Sequence, residues 1–302
     1  MALNIWRFTD GKPGHDSQSI GLCDAIGKLT KVSRFDIQTN SIFNCFRYFL
    51  LNKFPTGKTL PDPDLIIGAG HGTHFSMLTA RKARKGKTIV LMKPSLPLSL
   101  FDYCIIPEHD NISDKSNIIT TVGSLNPVQF NKNKLPNRGL ILLGGLSKHY
   151  QWDNESIEKQ ILKIIDAEPD IEWVIADSPR TPKITLTNIR NRVNKNLKIL
   201  NYSKTTTTDI REYIFNANTI WITQDSVSMI YESLSSGASV GLIELKNKKS
   251  TKVVNTINVL IHKNVLAPFS KWEKSRSLPH GTSSFNEANR CAQILLDKEA
   301  YF

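Results

Sequence analysis

Residues 9–16, TDGKPGHD, bring a histidine, a lysine, two carboxylates and two glycines into one short segment after an apolar run. A histidine or a carboxylate in such a segment can act as a general base when its surroundings adjust its pKa. We predict that His15 or Asp10 is the catalytic base, and the sequence leaves both open. The alternative is a glycine turn in which Asp16 or Ser17 caps the next helix and His15 faces solvent.

A second glycine-rich segment, GAGHGTH at residues 68–74, directly follows the apolar run DLII. It is not a dinucleotide-binding GxGxxG motif, because Thr73 stands at the position of the third glycine. It predicts a turn that brings the backbone close to an acceptor substrate, with His71 or His74 in reach; a purely structural turn is the alternative. The residues that we predict to bind the acceptor are Gly11, Lys12, Gly14, Gly70, His71 and Lys93.

A third segment, LGGLSKHY at residues 143–150, suits a phosphate or pyrophosphate. Paired glycines let backbone donors approach an anion closely, and a lysine adds a point charge. It lacks the GxxxxGK[ST] spacing of a Walker loop, which argues against a kinase of that class. In the tract SPRTP at residues 178–182, Arg180 offers the fork geometry that matches phosphate oxygens, and Ser178 offers a hydroxyl.

The last of these segments, TQDSVSMIYE at residues 223–232, leads from a predicted strand into a helix. Glu232 accepts hydrogen bonds and can hold the paired hydroxyls of a ribose; the alternative is a surface glutamate, with Asp225 or Ser226 capping the helix. The residues that we predict to bind an activated donor are Gly144, Gly145, Ser147, Lys148, Ser178, Arg180, Asp225, Ser226, Ser228, Met229 and Glu232.

The composition restricts the class of protein that positions these segments. The 302-residue chain is 40% hydrophobic and 22% charged, as in folded proteins. It has no long apolar run, so we expect a cytoplasmic protein. Its four cysteines form no CxxC pair, and we expect no metal and no cofactor. A net charge of +12 favours an anionic partner, although basic residues without interleaved aromatics argue against nucleic acid.

Short β-branched apolar runs alternate with longer helical patterns along the whole chain, which predicts an α/β protein with mostly parallel sheets. The polar, proline-containing segment 126–138 interrupts the alternation and is the predicted linker. We therefore expect two Rossmann-like domains that face each other across a central cleft, at residues 1–130 and 138–284. Ligands of such sheets bind beyond the carboxyl ends of the strands, where all four segments are predicted to lie.

Together these segments resemble one known family. DGKPGHDSQ, LIIGAGHGTH, VLMKPSLP, FDYCIIPEHD, the glycine pair, SPRTP and ITQDSVSMIYES are similar to the mitochondrial fission ELM1-like proteins, which occur in bacteria and are grouped with glycosyltransferases. The resemblance covers most of the chain. It implies a GT-B fold with the acceptor domain first and the nucleotide-sugar domain second, no essential metal, a helix glutamate on the donor ribose, and a last helix, residues 285–302, that packs back on the first domain.

One departure from the family concerns the tract that the family writes as SRRTP. Here Pro179 replaces one arginine, so Arg180 would act alone on the phosphates. The function we expect is metal-independent sugar transfer from a nucleotide-sugar donor to an anionic, lipid-linked acceptor such as lipopolysaccharide core, at the inner face of the cytoplasmic membrane. A nucleotide-sugar 2-epimerase of the same fold and a non-catalytic membrane-associated scaffold are the alternatives.

Overall fold

The computed structural model describes residues 2–110, 112, 115–192 and 197–299. The chain divides into two compact units. Unit 1 comprises Met1–Pro127 and Asn286–Phe302, and unit 2 comprises Val128–Phe285. In the described residues, each unit is built on one six-stranded sheet in which every pairing is parallel. The predicted α/β fold class with two mostly parallel sheets is therefore confirmed.

Unit 1 alternates strands and helices in the order that the sequence predicts. Its elements are β1 (Leu3–Thr9), α1 (Pro13–Leu29), β2 (Val32–Gln38), α2 (Ile42–Leu50), β3 (Leu65–Ala69), α3 (His74–Arg84), β4 (Lys87–Leu91), β5 (Tyr103–Pro107) and β6 (Ile118–Thr121). The strand order in the sheet is β2-β1-β3-β4-β5-β6. Because helices cover both faces of this sheet, residues on both faces of β1 are buried: Ile5 packs in one core cluster with α1, and Trp6 and Phe8 pack in the other with α3.

Unit 2 repeats this construction with a different strand order. Its elements are β7 (Leu135–Leu142), β8 (Tyr150–Gln151), α4 (Asn154–Ala167), β9 (Glu172–Ala176), α5 (Lys183–Arg192), β10 (Lys198–Leu200), α6 (Thr207–Asn216), β11 (Ala217–Thr223), α7 (Val227–Ser235), β12 (Ser239–Ile243), β13 (Lys246–Asn247), α8 (Lys252–His262), β14 (Ala267–Pro268) and α9 (Phe269–Ser275). The large sheet has the order β10-β9-β7-β11-β12-β14, and β8 pairs with β13 in a small antiparallel sheet.

The end of the chain belongs to unit 1. Helix α10 (Glu287–Glu299) packs against α1, and Cys291, Ala292 and Leu296 enter the same core cluster as Leu22 and Ile26 of α1. The helix is fixed at its start by Glu287, whose carboxylate accepts a 3.0 Å hydrogen bond from the amide of Val122.

Two predictions of local structure differ from the observed elements. Strand β7 begins at Leu135, inside the segment predicted as a linker, because its first four residues are exposed and tolerate the polar sequence LPNR. The patterns above predict neither α5 nor α9. In α5 the buried residues Leu186 and Ile189 are accompanied by an exposed Ile184, so its apolar residues do not mark one face. No helix in the described residues has the length and apolar character required to cross a membrane.

Candidate functional site

The predicted site residues of unit 1 lie at one edge of its sheet. Strands β1, β3 and β4 are neighbours and run parallel, with Phe8 paired to Gly68 and Ala69 paired to Leu91. Their carboxyl ends therefore lie side by side, and the segments that follow them carry His15, the second glycine segment and Lys93. This edge is the position at which parallel sheets bind ligands.

His15 and Asp10 are in direct contact. The imidazole Nδ1 of His15 lies 3.1 and 3.0 Å from the two carboxylate oxygens of Asp10. A carboxylate accepts a hydrogen bond, so Asp10 holds the proton on Nδ1 and leaves Nε2 as the basic nitrogen. The Asp10 side chain is 8% exposed and that of His15 is 18% exposed. The geometry gives the two candidates different tasks: His15 can accept a proton, and Asp10 orients it.

The electrostatic surroundings of Asp10 support this division. Burial by itself raises the pKa of the Asp10 carboxyl, but His15 and Lys12 outweigh it and hold that pKa below its ordinary value. The Nζ of Lys12 lies 3.3 Å from Oδ2, and the Lys12 amide donates to Oδ1 at 3.3 Å. Asp10 is therefore a carboxylate near neutral pH, as an orienting acceptor must be.

The second glycine segment packs directly on this pair. A Cβ at Gly70 would lie 2.2 Å from Cε1 of His15, and a Cβ at Gly72 would lie 2.9 Å from Oδ2 of Asp10. Gly70 also has φ = +77°, which side chains rarely adopt. The glycines thus bring the backbone after β3 against the imidazole and the carboxylate.

An ion network around the buried Arg7 fixes the start of α1, where His15 lies. Arg7 in β1 donates to Asp16 at 3.0 Å and makes two 2.8 Å bonds to Asp36 in β2. The hydroxyl of Thr9 donates to the same Asp16 at 2.5 Å. Asp16 is therefore held by β1 and does not cap α1, and the residue at the N-cap, Lys12, makes no side-chain cap hydrogen bond.

The other predicted residues of this edge have different environments. Gly11, Lys12, His71 and Lys93 are exposed, and in the described part of the chain no atom lies within 4 Å of a Cβ built on Gly14. His74 is buried, stacks edge-on against Phe101 at 5.3 Å, and has no hydrogen-bond partner for either ring nitrogen among the described residues. Burial, aided by His71, lowers the pKa of His74 to about 4, so it is a neutral core residue.

In unit 2 the predicted donor-binding segments also meet at the carboxyl edge of the sheet. Strands β9, β7 and β11 are adjacent and parallel, with Leu142 paired to both Ala176 and Ile222. The segments that follow them hold the glycine pair, the SPRTP tract and the start of α7. The structure thus brings these three motifs together, although 34 residues separate Gly144 from Ser178.

The glycine pair makes its hydrogen bonds within the protein. The amide of Gly144 donates to Thr223 Oγ1 at 2.8 Å, and the amide of Gly145 donates to Asp225 Oδ2 at 2.9 Å. A Cβ at Gly145 would lie 2.0 Å from the carbonyl oxygen of Arg180. In this structure the glycines therefore lock three segments together, and their amides do not face an open anion site.

Arg180 and Asp225 form the charged centre of this edge. The guanidinium NH1 of Arg180 lies 2.9 Å from Asp225 Oδ2 and 3.1 Å from the carbonyl oxygen of Leu146. The Arg180 side chain is 45% exposed, whereas that of Asp225 is fully buried. Burial raises the pKa of Asp225, although Gly145 and Arg180 favour its charged form, and its Oδ1 has no hydrogen-bond partner among the described residues. Nε and NH2 of Arg180 take no part in these two bonds and suit a phosphate.

The start of α7 differs from the expectation of a capped helix. Neither Asp225 nor Ser226 caps it: Ser226 is the N-cap residue but makes no side-chain cap hydrogen bond, and Asp225 accepts from the amide of Gly145 instead. The first amides of a helix without a side-chain cap can bind an anion. Ser228 is exposed in this first turn, Met229 is half-buried, and Glu232 lies about one turn further along, also half-buried.

Ser178 and Ser147 both have structural partners. Ser178 Oγ donates to the carbonyl of Gly144 at 2.5 Å, and Ser147 Oγ accepts from the amides of His149 and Tyr150 at 3.3 and 3.1 Å. Lys148 next to it is exposed. Among the predicted donor-binding side chains, Lys148 and Arg180 are the exposed cations.

The sequence patterns missed two residues that shape this edge. Lys248 belongs to a basic run that reads as a solvated surface, yet the pairing of β13 with β8 places its Nζ 2.9 Å from the carbonyl oxygen of Ser147. The hydroxyl of Thr181 donates to the carbonyl oxygens of Leu143 and Gly144. No local pattern marks Lys248, because its position depends on a pairing across about 100 residues.

The described residues contain no cluster of three or more His, Cys, Asp or Glu side chains arranged to hold a metal ion.

Comparison with known proteins places the molecule in a family. A family model described as mitochondrial fission ELM1 matches residues 13–298. The chain belongs to this family. An uncharacterised protein of Rickettsia prowazekii (strain Madrid E) is 25% identical over 351 residues, covering 97% of this chain and 98% of the other.

Solved structures similar to this family member show its fold. The UDP-GlcNAc 2-epimerase of Methanocaldococcus jannaschii superposes with a TM-score of 0.56 at 14% identity, covering 98% of this chain and 100% of that chain. MurG of Acinetobacter baumannii superposes with a TM-score of 0.50 at 11% identity, covering 99% and 100%. The two six-stranded units thus have the GT-B type of fold, as the resemblance implied.

Proposed function

We propose that this family member is a glycosyltransferase that moves a sugar from a nucleotide-activated donor to an anionic, lipid-linked acceptor such as lipopolysaccharide core. The observation that carries the proposal is the His15–Asp10 pair at the carboxyl edge of the unit 1 sheet, with Nδ1 3.0 Å from the carboxylate. A fixed imidazole with a basic Nε2 is the group that deprotonates a hydroxyl near neutral pH.

The proposed reaction begins at His15. Nε2 of His15 takes the proton from an acceptor hydroxyl, whose oxygen forms a bond to the anomeric carbon of the donor. The bond from that carbon to the phosphate oxygen breaks, and the nucleotide leaves with the bonding electrons. Asp10 stabilises the imidazolium that forms, in the way a carboxylate does in other base–carboxylate pairs.

Unit 2 supplies the groups that fit an activated sugar. The first amides of α7, Arg180 and the exposed Lys148 would stabilise the charge that develops on the departing phosphates, which is the task of a divalent ion in metal-dependent transferases. Glu232, in the second turn of α7, would accept hydrogen bonds from the ribose hydroxyls. Thr223, Gly145 and Asp225 would support this arrangement from beneath.

The acceptor is assigned from charge. Lys12, whose Nζ lies 3.3 Å from Asp10, and Lys93, which follows β4, are exposed at the carboxyl edge of the unit 1 sheet. In a chain with a net charge of +12, such a field attracts phosphorylated or carboxylated substrates. The exposed glycines Gly11 and Gly14, His71 and the backbone at Gly70 would contact this acceptor.

A 2-epimerase reaction on a nucleotide sugar is the second candidate. It is favoured by the likeness to the Methanocaldococcus jannaschii UDP-GlcNAc 2-epimerase, whose TM-score of 0.56 exceeds the 0.50 of MurG. An epimerase needs no acceptor. Incubation with nucleotide sugar alone therefore separates the two reactions, because an epimerised nucleotide sugar would refute transfer.

The test begins with a thermal-shift screen against nucleotide sugars. A ligand that binds the native state alone stabilises it by about 2.7 kcal/mol at a hundred times its Kd. The Glu232→Ala and Lys148→Ala variants should lose most of this shift. Glu155→Ala and Lys263→Ala remove exposed side chains of the same types elsewhere in unit 2 and serve as matched controls.

The donor found in this way is then supplied with acylated and deacylated lipopolysaccharide core. Transfer to either acceptor supports the proposal. If Glu232→Ala and Lys148→Ala bind the donor and turn it over as the unmodified protein does, the assignment of the donor site is wrong.

A further inference from the structure

Helix α2 presents its most apolar side chains to solvent. Ile42, Phe43, Phe46 and Leu50 are 68%, 77%, 64% and 65% exposed. At 100° per residue they lie on one side of the helix. A surface helix normally buries its apolar side, whereas this side of α2 faces solvent. We call these four residues the α2 face.

The opposite side of α2 is already packed. Cys45 is buried with its Sγ 3.3 Å from Ser76 Oγ of α3, and Thr79 Oγ1 of the same helix donates to the carbonyl oxygen of Cys45 at 3.3 Å. The side chain of Ser41 caps the start of α2 by accepting from the amide of Asn44 at 3.3 Å. The helix is therefore fixed on unit 1, and the α2 face is exposed in this fixed position.

An apolar groove continues the α2 face. It has a volume of about 640 Å³ and is lined by Phe46 and Phe49 of α2, by Phe75 and Leu78 of α3, and by Leu100. Phe75 and Leu100 are themselves 45% and 40% exposed. Contiguous apolar surface of this kind marks an interaction site in a folded protein.

Positive charges predominate around this surface, where, among the described residues, the one acidic partner of a groove residue is Asp102, 3.5 Å from Arg81. Residues 37–61 and 65–101 contain no aspartate or glutamate. Arg47 and Lys53 are exposed at the end of α2, and Lys82 lies on α3 with its Nζ 4.0 Å above the ring of Phe49. A cationic rim around aromatic side chains complements an anionic lipid surface.

We propose that the α2 face docks on an anionic membrane, with its aromatic and aliphatic side chains in the interface and its cationic rim on the lipid headgroups. A second copy of the chain fits less well, because two positively charged rims would oppose each other. The use of such docking rests on the proposed function, since a transferase would reach a lipid-linked acceptor at the bilayer. Membrane binding itself needs neither donor nor acceptor.

The experiment is sedimentation of the full chain with vesicles of phosphatidylcholine alone and of phosphatidylcholine with phosphatidylglycerol. We expect binding to the anionic vesicles alone, weakening with added salt. The double variant Phe43→Gln/Phe46→Gln should lower the partition coefficient on the order of tenfold or more. Arg47→Gln/Lys53→Gln should lower it less and reduce its dependence on salt.

The matched control is Ile184→Gln/Val259→Gln, which replaces two apolar residues of unit 2 that are 52% and 50% exposed. It should bind as the unmodified protein does. Unchanged thermal unfolding of the phenylalanine variant shows that its fold is intact, and the single variant Phe43→Gln replaces it if the double variant unfolds.

Three results would overturn the proposal: equal binding to neutral and anionic vesicles, equal binding of the phenylalanine variant, or a dimer in solution that the same substitutions dissociate. If the unmodified protein binds a nucleotide sugar in the thermal-shift assay but does not bind vesicles, membrane docking is refuted and the proposal of sugar transfer is unaffected. If it binds anionic vesicles but shows no thermal shift with any nucleotide sugar, membrane docking is supported and sugar transfer is refuted.

Discussion

Unit 1 and unit 2 each place a glycine segment after a central strand, yet the two segments are used in opposite ways. In unit 1 the backbone at Gly70 lies against the imidazole of His15, whose side chain is 18% exposed. In unit 2 the backbone at Gly145 lies against the carbonyl of Arg180, and its amide bonds the buried Asp225. The first segment packs beside the proposed base, and the second joins loops to one another.

This difference teaches that a glycine after a parallel strand marks a close approach without saying what approaches. Glycine permits both arrangements because it has no Cβ. The group that packs against the glycine comes from a distant part of the chain, such as Asp225, which is 80 residues from Gly145.

The sharpest way to break the comparison is to remove the proposed base. His15→Gln should lower kcat by about 10²- to 10⁴-fold, which is the usual contribution of a general base. Steady-state transfer kinetics with the donor and acceptor identified above would measure it. His262→Gln, an exposed histidine of unit 2, is the control and should be fully active; activity retained by His15→Gln would remove the chemical role from unit 1.

The locking role of the unit 2 glycines predicts a stability effect. Gly145→Ala should destabilise the protein by about 1–3 kcal/mol or more, because its Cβ would overlap the carbonyl of Arg180. Gly14→Ala, on the open first turn of α1, should be neutral or stabilising by about 0.4–1 kcal/mol. Denaturant unfolding of the two variants compares them directly, and equal stabilities would contradict the contrast between the loops.

Asp10→Asn sharpens the comparison within unit 1. The amide keeps the shape of the carboxylate but removes the charge that stabilises a protonated His15, and its NH2 group can donate to Nδ1 and favour the wrong tautomer. The value of kcat should therefore fall by at least about tenfold, and by no more than in His15→Gln. Because Asp10 is not proposed to bind the donor, the nucleotide-sugar thermal shift should be unchanged. A variant with full kcat would show that His15 works without its carboxylate partner.

The smallest predicted effect concerns the pH dependence of stability, to which Asp10 of unit 1 and Asp225 of unit 2 should contribute with opposite signs. The folded pKa of Asp10 lies below its ordinary value of 3.8, so its contribution to stability is present above that pH and is lost as the pH falls through the folded pKa. The folded pKa of Asp225 is raised, so the unmodified protein loses stability as the pH rises from 3.8 through that higher pKa.

Thermal unfolding from acid to neutral pH tests these signs. Relative to the unmodified protein, Asp10→Asn should become less stable as the pH rises, and Asp225→Asn should become more stable. Parallel pH profiles for the two variants would show that their carboxyl groups have similar environments, against the contrast drawn here.

Local sequence predicted much of the fold, because the α/β alternation depends on neighbours in the chain. The apolar run of β3 and the turn at Gly70 are examples, since both follow from residue type and short-range sterics. Helix α5 escaped prediction because Ile184 is exposed while Leu186 and Ile189 are buried, a pattern that tertiary packing sets.

The candidate site was predicted in its parts more than in its contacts. The sequence marked His15 and Asp10 as candidates, and the proposed assignment of His15 as base and Asp10 as orienting carboxylate rests on the 3.0 Å contact between them. It also marked Asp225 as a possible helix cap, whereas the structure buries it under Gly145 and Arg180. Such contacts depend on strand order, which no local pattern encodes.

By itself the sequence determined the order of strands and helices along the chain, the excess of positive charge and the family, since each depends on residue type and short-range pattern. The tertiary structure alone decided that Asp10 lies on His15, that Lys248 reaches the loop of Ser147, and that the α2 face points outward. These arrangements arise when distant segments are packed together, and burial and long-range hydrogen bonds then select among the positions that the local sequence allows.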